Sequence, residues 1–369
     1  MLLYPVYALL FADAGLSTGQ ISSLFVIWSV VSFTLEIPSG ALADAYSRRR
    51  LVAIAAVLRA AGFALWTFFP SYPAFAAGFV LWGASSAMTS GSVEALVYDE
   101  LAAADATDRY VRTVGLAQTT ALVAELAAMA LATPAFLLGG YTLVGVASVA
   151  VSLAAVPIAL SFPEAPRAEE TGGGSYLKTL RAGLAEVRAN RTVSRAVVLY
   201  AAVTGLGAID EYVPILARDM GAPTSLVPLL FVLPVAAMAV ASALAERWAH
   251  LSAARLAAAV AVGGVLLAAG ANAGSPAGMV AVALCFAVLE LFDILTEARI
   301  QDAITGPARA TVLSVAGFGQ EVAALAVYAG FGLGSAVLPV PVMLALVGVP
   351  LVLSGLVTRR WLPPARSSS

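Results

Sequence analysis

The sequence predicts an all-α integral membrane protein: twelve transmembrane helices in two pseudo-symmetric six-helix bundles, with the first helix shortened. Three observations point there. Of 369 residues, 61% are hydrophobic and only 11% charged, and the mean hydropathy is +0.92, about half the charge of an ordinary soluble chain. Apolar runs long enough to cross a ~30 Å hydrocarbon layer alternate with short polar or Gly/Pro turns. Short motifs from the first half also recur in the second at a nearly constant offset of 202 or 203 residues, the mark of a duplicated unit.

In chain order the apolar runs fall near 1–12, 19–44, 51–69, 74–98, 112–132, 139–161, 194–214, 224–246, 254–272, 277–300, 310–331 and 338–357. The first is too short to span. Its Ala12-Asp13-Ala14 has the small residues of a signal-peptidase site, but no positive n-region precedes it and Pro5 interrupts the apolar stretch. Between the sixth and seventh runs lies the one long polar stretch, with Glu169, Glu170 and Gly172-Gly173-Gly174. After it, Leu177, Leu180, Leu184 and Val187 recur at spacings of three and four opposite Lys178, Arg181 and Arg188. That pattern predicts an amphipathic helix on the membrane face over 176–190. The expected divisions are therefore a first bundle over 1–162, a cytoplasmic linker with this helix over 163–192, a second bundle over 193–358 and a cytoplasmic tail over 359–369.

Charge sets the expected orientation. Arg48-Arg49-Arg50 sits in a hairpin between two spans, and together with the remaining loops it places 18 of the 20 Lys and Arg on the same side. Only Arg218 falls opposite and only Arg59 within a span. Positive loops stay in the cytoplasm, so both termini are assigned there, in a multi-pass protein of the plasma membrane.

The repeat is specific. Ala41-Leu42-Ala43-Asp44 returns as Ala243-Leu244-Ala245-Glu246, Glu94-Ala95 with Asp99 as Glu297-Ala298 with Asp302, and Gly115 with Gln118 as Gly317 with Gln320. At the same offset Met1 corresponds to Val203, inside the seventh span. The first span is therefore expected to lack part of its cytoplasmic half.

The hairpin Gly40-Ala41-Leu42-Ala43-Asp44-Ala45-Tyr46-Ser47-Arg48-Arg49-Arg50 resembles the signature of the major facilitator superfamily of secondary transporters, which reads Gly-x-Leu-Ala-Asp-basic-x-Gly-basic-basic between spans 2 and 3. Gly40, Leu42, Ala43, Asp44, Arg48 and Arg49 match; Ala45 replaces a basic residue and Ser47 a glycine. The resemblance covers the whole chain, because a parallel repeat about an axis along the membrane normal is that family's architecture. It implies a cytoplasmic gate of Gly40, Asp44, Arg48, Arg49, Glu94 and Asp99. Asp99 either pairs with loop arginines, as the resemblance implies, or is simply solvated. The Gly-Pro-x-x-Gly-Gly that superfamily antiporters carry in span 5, and the arginine many exporters place in span 4, are missing here.

Candidate coupling residues follow from cost. Glu290, Asp293 and Glu297 fall at i, i+3 and i+7 of the tenth span, hence on one helical face. Intramembrane carboxylates usually face a water-filled cavity or an ion path. The spans offer a single arginine, Arg59, against Glu36, Glu94, Glu125, Glu290, Asp293, Glu297 and Glu321. Most of these acids must therefore be protonated, solvated or neutralised by a bound cation. A Glu36–Arg59 pair at similar depth is expected as structural glue. Glu125 and Glu321 are either cavity residues or hydrogen-bond partners at helix interfaces. Gln118, Gln320, Ser85, Ser86, Thr89 and Tyr328 offer hydrogen bonds, and Trp28 and Trp82 offer packing or stacking surfaces.

Several classes are excluded. A net charge of -2 argues against a nucleic-acid partner, which needs clustered positive charge. The lone Cys285 and lone His250 leave no disulfide and no expected metal site. No catalytic set and no Gly-x-x-x-x-Gly-Lys loop for ATP is present, so no enzyme and no cofactor are expected. What remains is a monomeric secondary transporter, proton-coupled, moving a small metabolite or drug-like solute, cations included, by rocking of two halves. The alternative is a transport-inactive receptor or scaffold that keeps the fold.

Overall fold

The structure, a computed structural model, describes residues 1–90, 92–163, 184, 187–188, 190–304 and 309–364, with side chains described throughout these except at 36–45, 94, 111 and 309–310. The expected linker and surface helix lie, apart from Pro163, Leu184, Val187, Arg188 and residues 190–192, outside the described residues. The chain divides into two compact units, Met1–Gly173 and Gly174–Ser369.

The first unit holds α1 (Tyr7–Asp13), α2 (Thr18–Ala45), α3 (Arg48–Phe68), α4 (Tyr72–Thr89), α5 (Ser92–Ala103) and α6 (Tyr110–Ser161). The second holds α7 (Arg191–Gly205), α8 (Val213–Asp219), α9 (Val227–Trp248), α10 (Ala253–Ala271), α11 (Met279–Ala303), α12 (Arg309–Gly334) and α13 (Val340–Trp361). Among the described residues there is no strand. Nine helical stretches among the described residues are long and apolar enough to cross a membrane.

Helix starts follow local chemistry. Before α2, the Gln20 amide donates to the Ser17 hydroxyl while Gln20 Oε1 accepts from the Ser17 amide, a reciprocal cap. Ser47 accepts from the Arg50 amide, Asn190 from Thr192 and Val193, and Ser252 from Arg255, so three further helices open on a side-chain acceptor.

Four places stand out against the twelve expected spans. The first run folds as a 3-10 turn, Tyr4–Val6, followed by the seven-residue α1. The fourth is interrupted where Ser90 leaves helical geometry (φ -55, ψ 125), and α5 continues beyond it. The fifth and sixth form one run, Thr107–Ser161, whose 55 residues far exceed one ~30 Å core at ~1.5 Å per residue. It bends at Gly139 (φ -155, ψ 18) and Gly140 (φ 57, ψ -152), so it divides where the expected sixth run begins. The seventh is broken by a 3-10 stretch, Leu206–Tyr212, between α7 and α8.

In hydrocarbon, helices associate through close van der Waals packing rather than hydrophobic drive. Each unit has its own answer. In the first, rings fill the core: Tyr7, Phe11, Phe25, Phe63, Trp66, Phe75 and Phe79 are all at most 2% exposed, and Trp66 Nε1 donates to the Phe75 carbonyl at 3.0 Å. Trp82 joins this cluster, 5.9 Å from both Phe79 and Trp28 between ring centroids. In the second, small residues bring backbones together, and a Cβ on Gly264 would lie 2.5 Å from the Gly348 carbonyl oxygen. There α7 packs on α12 and α11, and α11 on α9 and α10. An apolar cluster of Val193, Val197, Tyr200, Ile300, Val312 and Val315 joins α7, α11 and α12.

Candidate functional site

Glu290, Asp293 and Glu297 lie on α11, each partly exposed, among buried Leu289, Phe292, Leu295, Thr296 and Ile300. The apolar neighbours fix the helix; the acids occupy the face left over. Their charges act on one another: Asp293 is next to both Glu290 and Glu297. From α7, Tyr200 lies within electrostatic reach of the Asp293 carboxylate. Glu297 Oε1 accepts from Gln301 Nε2 at 2.9 Å. The Thr296 hydroxyl, one turn from Asp293 and fully buried, has no hydrogen-bond partner among the described residues. Arg299, the one cation on α11, is 4% exposed and turned away, donating to the Leu251 carbonyl between α9 and α10. Among the described residues no ion pair reaches the three acids. The group presents a row of carboxylates with a phenol near its middle member. Such a row can hold a proton or a cationic group.

Glu321 stands apart from this row. It lies on α12 and, with Asp210 and Glu211 of the 3-10 stretch, acts on the buried Tyr328 hydroxyl. Tyr212 of the same stretch stacks on Phe331 at 3.9 Å between centroids. Asp210 and Glu211, both partly exposed, thus lie within electrostatic reach of a buried phenol.

In the first unit Arg48 pairs with Asp99, and Arg49 Nη1 donates to the Phe162 carbonyl at 3.2 Å. The loop between α2 and α3 is thereby tied to α5 and to the end of α6. The side chains of Gly40, Asp44 and Glu94, expected in the same gate, lie outside the described residues, as does that of Glu36. Arg59 keeps its Nε buried without a hydrogen-bond partner among the described residues. Its charge and that of the exposed Glu125 act on the Met1 amino group.

The sequence profile of the Major Facilitator Superfamily matches residues 1–328. The chain belongs to that superfamily. It is accordingly a transporter and not an enzyme. The fold is similar to that of the nucleoside transporter NupG, with a TM-score of 0.78 at 13% identity over 97% of this chain and 95% of that one. It is likewise similar to a bacterial homolog of the human lysosomal transporter Spinster, inward-facing and unoccupied, at 0.74 and 15% over 100% and 95%. A D-xylose-proton symporter aligns at 0.70 and 16% over 99% and 94%. No curated protein sequence matches the chain.

Within this superfamily member, sequence reasoning found the α11 acids by their spacing and missed Tyr200. The tyrosine sits 93 residues from Asp293 in an ordinary apolar run, Val197-Val198-Leu199-Tyr200-Ala201. The one available signal was that it is the only hydroxyl-bearing aromatic between Tyr176 and Asp210.

Proposed function

We propose that this member of the Major Facilitator Superfamily is a proton-coupled secondary transporter of a small organic solute in the plasma membrane, working by alternating access of its two halves, with both termini cytoplasmic. The observation that carries the reading is the row Glu290, Asp293 and Glu297, which no cation neutralises among the described residues. Three adjacent carboxylates in a low-dielectric setting cannot all ionise cheaply, and such residues inside membranes mark ion paths. Glu290 and Asp293 take and release the proton as a coupled pair. Glu297, held by Gln301, lies nearer the helix end, and Glu125 and Glu321 are the reserve candidates. A cationic solute competing for the same charge gives antiport; a neutral or anionic one travelling with the proton gives symport. The Arg48–Asp99 pair supports a cytoplasmic gate that includes Arg49, Asp44, Gly40 and Glu94. The skew of basic residues supports the orientation.

The test is reconstitution of the full chain in liposomes, screened with labelled metabolites and cationic dyes, with and without a pH gradient. Glu290→Gln with Asp293→Asn is expected to abolish gradient-driven transport and leave gradient-independent exchange or binding measurable. Unaltered dependence on the gradient in that double variant would sink the assignment. A wild-type chain that binds a solute and never moves it would favour the receptor or scaffold alternative.

A further inference from the structure

α12 and α13 follow one another in the chain yet pack on different neighbours, α12 on α7 and α13 on α10. They meet near the turn between them, where a Cβ on Gly334 would lie 2.9 Å from Met343 Cε. Further along they part, and an open crevice of about 490 Å³ runs between them. It is lined by Ala202 of α7, Leu206 just beyond that helix, Ala323 and Ala326 of α12, and Pro350 and Ser354 of α13. The Ser354 hydroxyl already donates to the Leu351 carbonyl at 2.7 Å, and every other lining side chain is apolar. Ala202, Ala326 and Pro350 are exposed, and α12 and α13 both belong to the stretches fit to cross a membrane, so what enters the crevice from the side is hydrocarbon. Glu290, Asp293 and Glu297 do not line it.

One end of the crevice is basic. α7 runs toward the turn, since Tyr212 beyond its end stacks on Phe331 of α12, whereas α13 runs away from it, so the start of α7 and the end of α13 lie together. Arg195, Val198 and Ala202 fall at i, i+3 and i+7, on one face of α7, and all three are exposed. α13 closes with Arg359 and Arg360, exposed as well. No ion pair holds these arginines among the described residues. α7, α12 and α13 carry a single carboxylate, Glu321, which does not line the crevice, and Asp302 ends a helix, α11, that does not line it either. The depths agree with this arrangement. At ~1.5 Å per residue Ala202 lies ~10 Å from Arg195, and Ser354 and Pro350 lie ~9 Å and ~15 Å from Arg360. One leaflet of a ~30 Å hydrocarbon core is ~15 Å deep. We propose that the second unit binds one anionic phospholipid, its phosphate held between Arg195 and Arg360 and an acyl chain laid in the crevice between α12 and α13. Surface arginines attract anionic headgroups, and a chain seated among small side chains gains close van der Waals contact. This site is separate from the α11 acids and independent of what the protein carries.

The test needs no substrate. The full chain is reconstituted in phosphatidylcholine liposomes holding a trace of phosphatidylglycerol with a diazirine midway along one acyl chain, then photolysed, and the labelled residues are mapped by mass spectrometry. Labelling at Ala202, Pro350 and Ser354 is expected to exceed that at Val262 and Val265, exposed apolar residues of α10 outside the crevice, by about fivefold or more. The same diazirine chain carried on phosphatidylcholine should show no such preference. Arg195→Gln and Arg360→Gln should each lower crevice labelling by phosphatidylglycerol about fivefold, and together more than tenfold, with labelling at Val262 and Val265 unchanged. Both arginines are exposed at helix ends, so these variants keep the fold. Ala202→Phe, which leaves the arginines in place and fills the crevice, should lower labelling at Pro350 and Ser354 as well. Equal labelling of crevice and α10, equal labelling of the crevice by the two lipids, or crevice labelling that survives the double arginine variant or Ala202→Phe would each overturn the proposal. Cross-links at Ala202, Pro350 and Ser354 to a second copy of the chain in place of lipid would overturn it too and name the occupant.

Discussion

Arg48 and Asp99 form an ion pair between unequal partners. Arg48 is 15% exposed and Asp99 39%, and Arg48 has interactions beyond this one. Removing the acid leaves a guanidinium that retains other contacts and some water. Removing the arginine strips a half-buried anchor from the start of α3. Asp99→Asn is therefore expected to lower stability by about 1 kcal/mol or less, the range for a pair open to solvent. Arg48→Ala should cost about 2 kcal/mol, because packing of its stem is lost as well. Thermal unfolding of the two variants in detergent checks the order, and equal shifts would contradict it. For Asp99 the sequence left two readings open, pairing with the loop arginines, which the family resemblance implied, and simple solvation; the structure pairs it with Arg48. The nearness of Tyr200 to Asp293 left no sign, since a tyrosine in an apolar run reads as packing.

Helices tell a similar story one level up. Hydropathy located nearly every apolar segment, because the energy that keeps charge out of hydrocarbon is large and acts on each residue separately. It was blind to how the backbone runs within a segment. Leu206-Gly207-Ala208-Ile209 is as apolar as the helix before it, so the 3-10 stretch there had no compositional sign. In α6 the sequence placed a turn between the runs 112–132 and 139–161, and the helix passes Pro134 and bends at Gly139 and Gly140, where the second of those runs begins. Proline removes one hydrogen bond and bends a helix without ending it when neighbours restore the loss. Gly140 is different: φ 57 with ψ -152 is a conformation essentially closed to residues with a Cβ. Gly140→Val is expected to destabilise the first unit by about 1–3 kcal/mol. Gly115→Ala on the same helix, with nothing within 4 Å of the added carbon, should be neutral or slightly stabilising, as helix propensity dictates. A melting series on the two variants decides; equal effects would mean that residue 140 tolerates another geometry.

For the whole molecule the open quantity is which side of the membrane each loop occupies. The charge asymmetry gives a definite expectation. Single cysteines at Ser47 and Ser175 in a Cys285→Ala background should be shielded from impermeant maleimide in intact cells, and one at Ser275 should react. The reverse pattern would invert the topology. Background labelling is not a concern, since Cys285 is 0% exposed. The ring cluster of the first unit has a use of another kind. Of the five tryptophans, Trp28, Trp66 and Trp82 stand in or beside that cluster, whereas Trp248, 37% exposed, and Trp361 sit at helix ends in the second unit. Indoles shielded by other rings emit at shorter wavelength than wetted ones. With Trp248 and Trp361 replaced by phenylalanine, the remaining fluorescence belongs to the first unit alone, and a red shift on heating times its unfolding separately from that of its partner. The chain carries a spectroscopic label for one half of itself, placed there by the packing of its core.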